Sequence, residues 1–288
     1  MRIGEVVRYI RLSKNLKIKN VYTGVLERPA VTKFEKGISD TTAEKFMKIL
    51  NNLNMTYDQF RNIHTTQNEM ENNDLHSQYA AIFSTKDITN LKEFESKTKE
   101  IYQQTYQIKS LHYSVLTTLA ISSLSDEQLD KKNLDLLQDY LFECREWSYY
   151  ELMLFMHSMP FFSVDNVLLL YNSLKANVQQ QPYIRKYNPE VFSLILTVLK
   201  IFIKQNDKSR CKEIYSDLIK NVSDVSNTMY EKIMVHFYGE LMKLSEKKIM
   251  DSEIINQSIT AFDFLSMPEE KKECLELVDI VKRNNGLL

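Results

Sequence analysis

The sequence predicts an all-α protein, and three observations carry that prediction. The 288 residues hold only five glycines and five prolines, with no glycine between Gly37 and Gly239. A β-rich or α/β chain needs many more turn glycines than that. Apolar residues recur at three- and four-residue spacing along most of the chain, which is helical periodicity. A hydrophobic content of 43% with 26% charged residues is ordinary for a soluble globular protein, so these helices have apolar faces to bury.

The length exceeds the usual single domain and predicts two. Charge divides in the same way. Residues 1–62 hold twelve Lys and Arg against six Asp and Glu, a net of +6; the remainder holds 25 against 32, a net of −7. A basic head on an acidic body suits a protein that sets one end on a polyanion.

Residues 1–63 are expected to form five short helices. Ile3, Val7 and Ile10 give the apolar stripe of the first, about residues 2–14. Leu16, Val21 and Val25 belong to the second and its exit. The third lies between Gly24 and Gly37, two residues able to take the positive φ that a tight turn and a helix stop require. Its Val31 and Phe34 share one face, while Arg28, Thr32 and Glu35 recur on another that is left free to enter a groove. Proline disfavours helical backbone in the residue before it, so this helix is expected to start at Pro29 with Arg28 just outside. Thr41 or Thr42 caps a fourth helix carrying Phe46, Ile49, Leu50 and Leu53, and Thr56 caps a fifth with Phe60 and Ile63 turned inward.

Five such helices with a basic, exposed third are the arrangement of a phage-repressor-type helix-turn-helix domain. On double-stranded DNA, Thr32 and Lys33 are expected to face the major groove, with Arg28 touching the backbone or a base. Arg8, Arg11, Lys14, Lys17 and Lys36 are backbone candidates, although Arg8 and Arg11 suit a solvated helix face equally well. Residues 64–74 are polar and read as a linker.

Residues 75–288 read as a series of helical hairpins starting near Thr89, Glu127, Ser163, Asp207 and Lys247, a period close to 40 residues. That predicts a tetratricopeptide-like (TPR-like) α-solenoid of about five hairpins, although the strict tetratricopeptide consensus is absent. Breaks at Ser125-Asp126, Met159-Pro160, Gln181-Pro182, Asn188-Pro189 and Met267-Pro268 fit the same period. A solenoid offers an extended groove, and 13 of the 16 tyrosines lie beyond residue 74. Candidates for holding a peptide there are Arg145, Arg185, Tyr187, Asn188, Asn227 and Tyr230, where polar or cationic side chains interrupt apolar helices. The plain alternative for Arg185 and Asn188 is that they only shape a loop beside Pro182 and Pro189.

Catalytic signatures are missing. The five histidines make no metal-ligand pair, and there is no nucleophile elbow, P-loop or dinucleotide fingerprint, so neither an enzyme nor a metal or cofactor site is expected. Cys144, Cys211 and Cys274 are odd in number and widely spaced, which predicts reduced thiols in a cytoplasm. No apolar run is long enough for a membrane span, and the N-terminus lacks a signal core.

Two stretches carry a resemblance. Ile3-Gly4-Glu5-Val6-Val7-Arg8, Arg11-Leu12-Ser13-Lys14, Thr32-Lys33-Phe34-Glu35-Lys36-Gly37 and Leu50-Asn51-Asn52-Leu53-Asn54-Met55-Thr56 together resemble the N-terminal domain of the Rgg/GadR/MutR transcription factors of low-GC Gram-positive bacteria. Trp147-Ser148-Tyr149-Tyr150-Glu151 is similar to a Trp-x-x-Tyr-Glu segment of their C-terminal domain, although Trp147, Tyr150 and Leu154 at helical spacing suit packing better than a ligand box. The chain departs from the family at Lys17-Ile18, and at Glu27 and Pro29, where the family tends to have Ser. Glu27 brings an anion close to DNA, although it also sits well near a helix N-terminus.

The resemblance implies a regulator that takes an imported signalling peptide into the concave face of its repeats and dimerises through its C-terminal region. The apolar residues available for a homodimer there are Ile254, Ile255, Phe262, Leu265, Leu277 and Ile280, shared with the solenoid core. Two alternatives stay open: a helical-repeat receptor or scaffold acting by protein contact, and a regulator without a peptide ligand.

Overall fold

The computed structural model describes residues 1–67, 74–180, 188–223, 229–247 and 252–287, and no strand occurs among them. Contacts divide the chain into two compact units, Met1–Gln78 and Tyr79–Leu288.

The first unit holds the five expected helices: α1 (Ile3–Ser13), α2 (Ile18–Tyr22), α3 (Arg28–Glu35), α4 (Ala43–Asn52) and α5 (Tyr57–Gln67). The starts of α4 and α5 have a local side-chain cause. The Thr42 hydroxyl accepts the Lys45 N–H at 3.3 Å, closing the first turn of α4. Thr56 and Gln59 exchange hydrogen bonds at the start of α5, a reciprocal cap. Asn15 and Asn54 take positive φ where α1 and α4 end, a conformation that asparagine tolerates. Val6, Val7, Ile10, Val21, Tyr22, Val31, Phe34, Ile49, Leu50, Leu53 and Phe60 close a single core.

Helix α5 runs through His64 to Gln67, where the composition suggested a linker, and the His64 ring stacks on Phe60 at 5.8 Å. Residues 68–73 of that stretch lie outside the described residues. Helix α6 (Leu75–Thr85) contains the division between the two units.

Five hairpins follow. They are α7 (Ile88–Thr105) with α8 (Ile108–Leu124), α9 (Lys131–Glu143) with α10 (Tyr149–Ser158), and α11 (Val164–Gln180) with α12 (Asn188–Lys204). The last two are α13 (Lys208–Ser223) with α14 (Met229–Lys247), and α15 (Glu253–Phe264) with α16 (Pro268–Asn284). Asp87, Asp130 and Ser148 cap α7, α9 and α10 with side-chain oxygens. Pro160 falls in a 3₁₀ turn, Met159–Phe161, and Pro268 opens α16.

Second helices of the first three hairpins meet in a row, α8 against α10 and α10 against α12. Their sequences fit this position: α8 is buried over most of Ser110–Ala120 and α10 over Glu151–Phe155, so neither has a broad polar face. Helix α16 packs on both α14 and α12, which brings the fifth hairpin back onto the third. Lys200 of α12 pairs with Glu273 of α16, and Lys208 at the start of α13 bonds the Asn285 side chain at 3.2 Å.

Candidate nucleic-acid interface

Helix α3 is held by its neighbours on one side and bare on the other. Val31 and Phe34 are buried in the core of the first unit, while Arg28, Thr32, Lys33 and Lys36 are exposed. Arg28 is the first helical residue and Pro29 the second, with Glu27 extended before them at φ −73° and ψ 152°. This corrects the expectation that Arg28 lies outside the helix. Pro29 is tolerated in the first turn because the N–H it lacks would have no acceptor within the helix there, so the proline preference against helical backbone at Arg28 is overcome. The Thr32 hydroxyl donates to the Arg28 carbonyl at 3.2 Å.

A second correction concerns Arg11 and Glu35, expected at a DNA backbone and on the free face of α3. Both are buried, at 7% exposure each. Arg11 Nε and Nη2 donate to the two Glu35 oxygens at 2.7 and 2.8 Å, and the Tyr22 hydroxyl donates to the same carboxylate at 2.7 Å. The Glu35 hydrogen bond and charge raise the Arg11 pKa above its ordinary value, against the opposing effect of burial. Burial first, then Glu35, raises that of Tyr22. The three side chains tie α1, α2 and α3 together and fix the rotation of α3 about its axis.

At this same C-terminal end of α3, α1 crosses so closely that a Cβ on Gly4 would lie 1.8 Å from the Phe34 carbonyl oxygen. Gly37 turns the chain at φ +67°, and Arg2 Nη1 donates to its carbonyl at 2.7 Å. Arg8 and Lys36 border an open recess of about 440 Å³ beside Tyr9 and Leu12. Lys17 is exposed at the N-cap of α2. Lys14 is exposed, but its ammonium donates to the Leu53 carbonyl at 2.7 Å, so it also anchors the end of α4.

The two peptide candidates whose side chains are described, Arg145 and Tyr230, lie on different hairpins. Arg145 is exposed in the corner between α9 and α10. Tyr230 is half-buried on α14, with Phe192 and Phe262 at ring distances of 6.4 and 6.2 Å, and burial pushes its hydroxyl up to about 12. Arg185, Tyr187 and Asn227 lie outside the described residues, as does the side chain of Asn188 at the start of α12.

Two of the recesses in the second unit lie beside the last two hairpins. One of about 690 Å³ lies between α14 and α15, bordered by Met229, Ile233, His236, Ile254, Gln257 and Ser258. The other, about 450 Å³, has Tyr230 and Lys86 facing Glu269, Glu270, Glu273 and Glu276 of α16. Neither includes Arg145.

The segment around Trp147 is a packing joint. Trp147 is fully buried, and its backbone N–H donates to Asn177 Oδ1 at 3.0 Å. Glu151 accepts from the Ser148 N–H and hydroxyl at 2.8 and 2.6 Å and from the Tyr140 hydroxyl at 2.6 Å. Burial pushes the Glu151 carboxyl up, and these hydrogen bonds outweigh it to hold the group below its ordinary value. His112 shares a 2.7 Å hydrogen bond with Tyr150, and burial lowers its pKa to about 4 against the opposing charge of Glu151.

Residues 95–275 match the family model described as the C-terminal domain of the HTH-type transcriptional regulator Rgg. The chain belongs to the Rgg family. Solved structures extend the likeness in fold over the whole chain. A protein of Listeria monocytogenes EGD-e, assigned as a transcriptional regulator, aligns at a TM-score of 0.86 and 18% identity, covering 99% of each chain. The SHP pheromone receptor Rgg2 of Streptococcus dysgalactiae aligns at 0.78 and 19% identity, covering 96% of this chain and 99% of its own. PrgX in complex with cCF10 aligns at 0.69 and 14% identity, covering 98% and 92%.

In this Rgg-family chain no described helix is long and apolar enough to cross a membrane. Sequence reasoning passed over Gly4, Tyr22 and the partnership of Arg11 with Glu35. A signal for the last was present. Arg11 follows Val7 by four residues and Glu35 follows Val31 by four, which places both on the edges of buried stripes.

Proposed function

We propose that this chain is a sequence-specific DNA-binding transcriptional regulator that works in the cytoplasm as a homodimer under the control of a short signalling peptide. The observation that carries the DNA part is helix α3. Its inner face is locked by the buried Arg11–Glu35–Tyr22 cluster, and its outer face offers Arg28, Thr32, Lys33 and Lys36. A rigid helix with exposed donors is what reading base edges requires. Arg8, Lys14 and Lys17 are exposed on the same unit and suit phosphate contacts, whereas Arg11 acts through Glu35 as a positioning residue.

The peptide part is supported by family membership and by two open recesses of the helical-repeat unit, with Tyr230 on the border of the acidic one. Rgg2 is a pheromone receptor by its description, and PrgX is solved with cCF10. A ligand in such a recess controls transcription only if it binds one arrangement of the dimer more tightly than another.

Shift assays on genomic fragments at two salt concentrations test the DNA reading, with steep salt dependence expected. Arg28→Ala and Lys33→Ala are each expected to weaken operator binding, by about 1–3 kcal/mol where a base contact is lost. Unchanged binding by both variants would remove α3 from the interface. Calorimetry of the full chain against short hydrophobic peptides encoded beside the gene tests the peptide reading, which the absence of heat across the set would remove.

A further inference from the structure

We infer that Glu27 is a base-reading residue and that each half-site carries a cytosine where the leading end of α3 meets the major groove. This rests on the DNA-binding reading proposed above. Glu27 is exposed at the N-cap of α3, beside the exposed Arg28, yet its side chain caps nothing. It makes no hydrogen bond or ion pair with any described residue, in contrast to Glu35 at the other end of the helix, whose oxygens take up Arg11 and Tyr22. Elsewhere in the unit, Glu5 accepts the Arg2 N–H and Glu44 pairs with Lys48.

An unpartnered carboxylate at the tip of the helix offered to DNA is costly there. It repels phosphates in a unit that otherwise carries a net positive charge, and so lowers affinity for every sequence alike. A favourable contact with one particular base turns that general cost into discrimination. The carboxylate is an acceptor only, so the base must present a donor in the major groove, and only cytosine N4 and adenine N6 do. On adenine the donor lies between two acceptors, its own N7 and the paired thymine O4, which repel a carboxylate; on cytosine it adjoins only one, the paired guanine O6, with the C5–H on its other side. Cytosine is therefore the match, and the neighbouring Arg28 fork suits an adjacent guanine.

Selection from a random-sequence library with the full-length parent, Glu27→Gln and Glu27→Ala tests this, with thermal melting to show that each is folded. The parent is expected to enrich one cytosine per half-site and to prefer it about tenfold over the other bases. Glu27→Gln keeps the length and gains a donor, so enrichment at that position should move to adenine. Glu27→Ala should lose the preference while binding unrelated DNA more tightly than the parent. A parent that enriches a clear site whose letters both variants leave unchanged would overturn the inference and leave the DNA-binding reading standing. A parent that enriches no sequence at any salt would overturn both.

Discussion

Arg11 shows how one buried contact can govern an exposed surface. Its guanidinium and the Glu35 carboxylate are out of water together, so removing either leaves the other charged and unpaired. Arg11→Ala and Glu35→Ala are each expected to destabilise the first unit by about 3–5 kcal/mol in chemical unfolding. Lys33→Ala, at an exposed position, should change stability by about 0.5 kcal/mol or less while weakening DNA binding. His112 makes a second prediction. Its folded value of about 4 lies below the ordinary 6.5, so the unfolded chain binds the proton first as pH falls. The contribution of neutral His112 is full above about pH 6.5 and is lost progressively towards pH 4. Thermal melts should therefore fall more steeply over that range for the parent than for His112→Gln. Both residues were hard to read from sequence for the same reason. A charged or titratable side chain on the edge of an apolar stripe looks the same whether it faces water or a partner, and its partner is brought in by another helix.

Helix α3 acts as a unit because three separate devices hold it: the cluster at Arg11, the Arg2 grip on the Gly37 carbonyl, and the bare backbone of Gly4 against Phe34. Gly4→Ala is expected to push α1 off the end of α3, at a cost of about 1–3 kcal/mol in unfolding experiments and with weaker operator binding, since the reading helix moves with it. An unchanged melt and unchanged affinity would mean that the crossing relaxes without effect. The helices themselves were legible because their starts carry local chemistry. Hairpins expected near Thr89, Ser163 and Asp207 begin at Ile88, Val164 and Lys208, beside Asp87, Ser163 and Asp207. Agreement is poorer at α9 and α15, which begin at Lys131 and Glu253 rather than near Glu127 and Lys247. The Arg28 boundary was misplaced because the restriction that a proline puts on the residue before it is a preference, which the packing of α3 overrides at Arg28.

In the whole chain, the fifth hairpin has two classes of apolar residue that sequence could not separate. Ile255, Phe262 and Leu277 are core, whereas Ile254 and Leu265 are 39% and 36% exposed and Phe264 is 88% exposed. If the proposed homodimer forms through this end, sedimentation of the parent should give twice 34.0 kDa at micromolar concentration. Ile254→Lys and Leu265→Lys should shift it towards monomer without unfolding it. A parent that sediments as a monomer would exclude this mode of pairing. The return of α16 onto α12 was not legible either, because a repeat period predicts contacts between neighbours and is silent about the third hairpin meeting the fifth. That contact changes how the chain bears load. An open row of hairpins stretched between its ends yields one hairpin at a time, as a series of small steps. Here the packing of α16 on α12, with Lys200 and Glu273 paired across it, ties the third hairpin to the fifth, so α12 to α16 share any tension until that contact parts. Held between optical tweezers, this end of the chain should give way in one large extension, and Lys200→Ala, which removes a partly exposed ion pair but leaves the packing, should lower the force of that extension without splitting it.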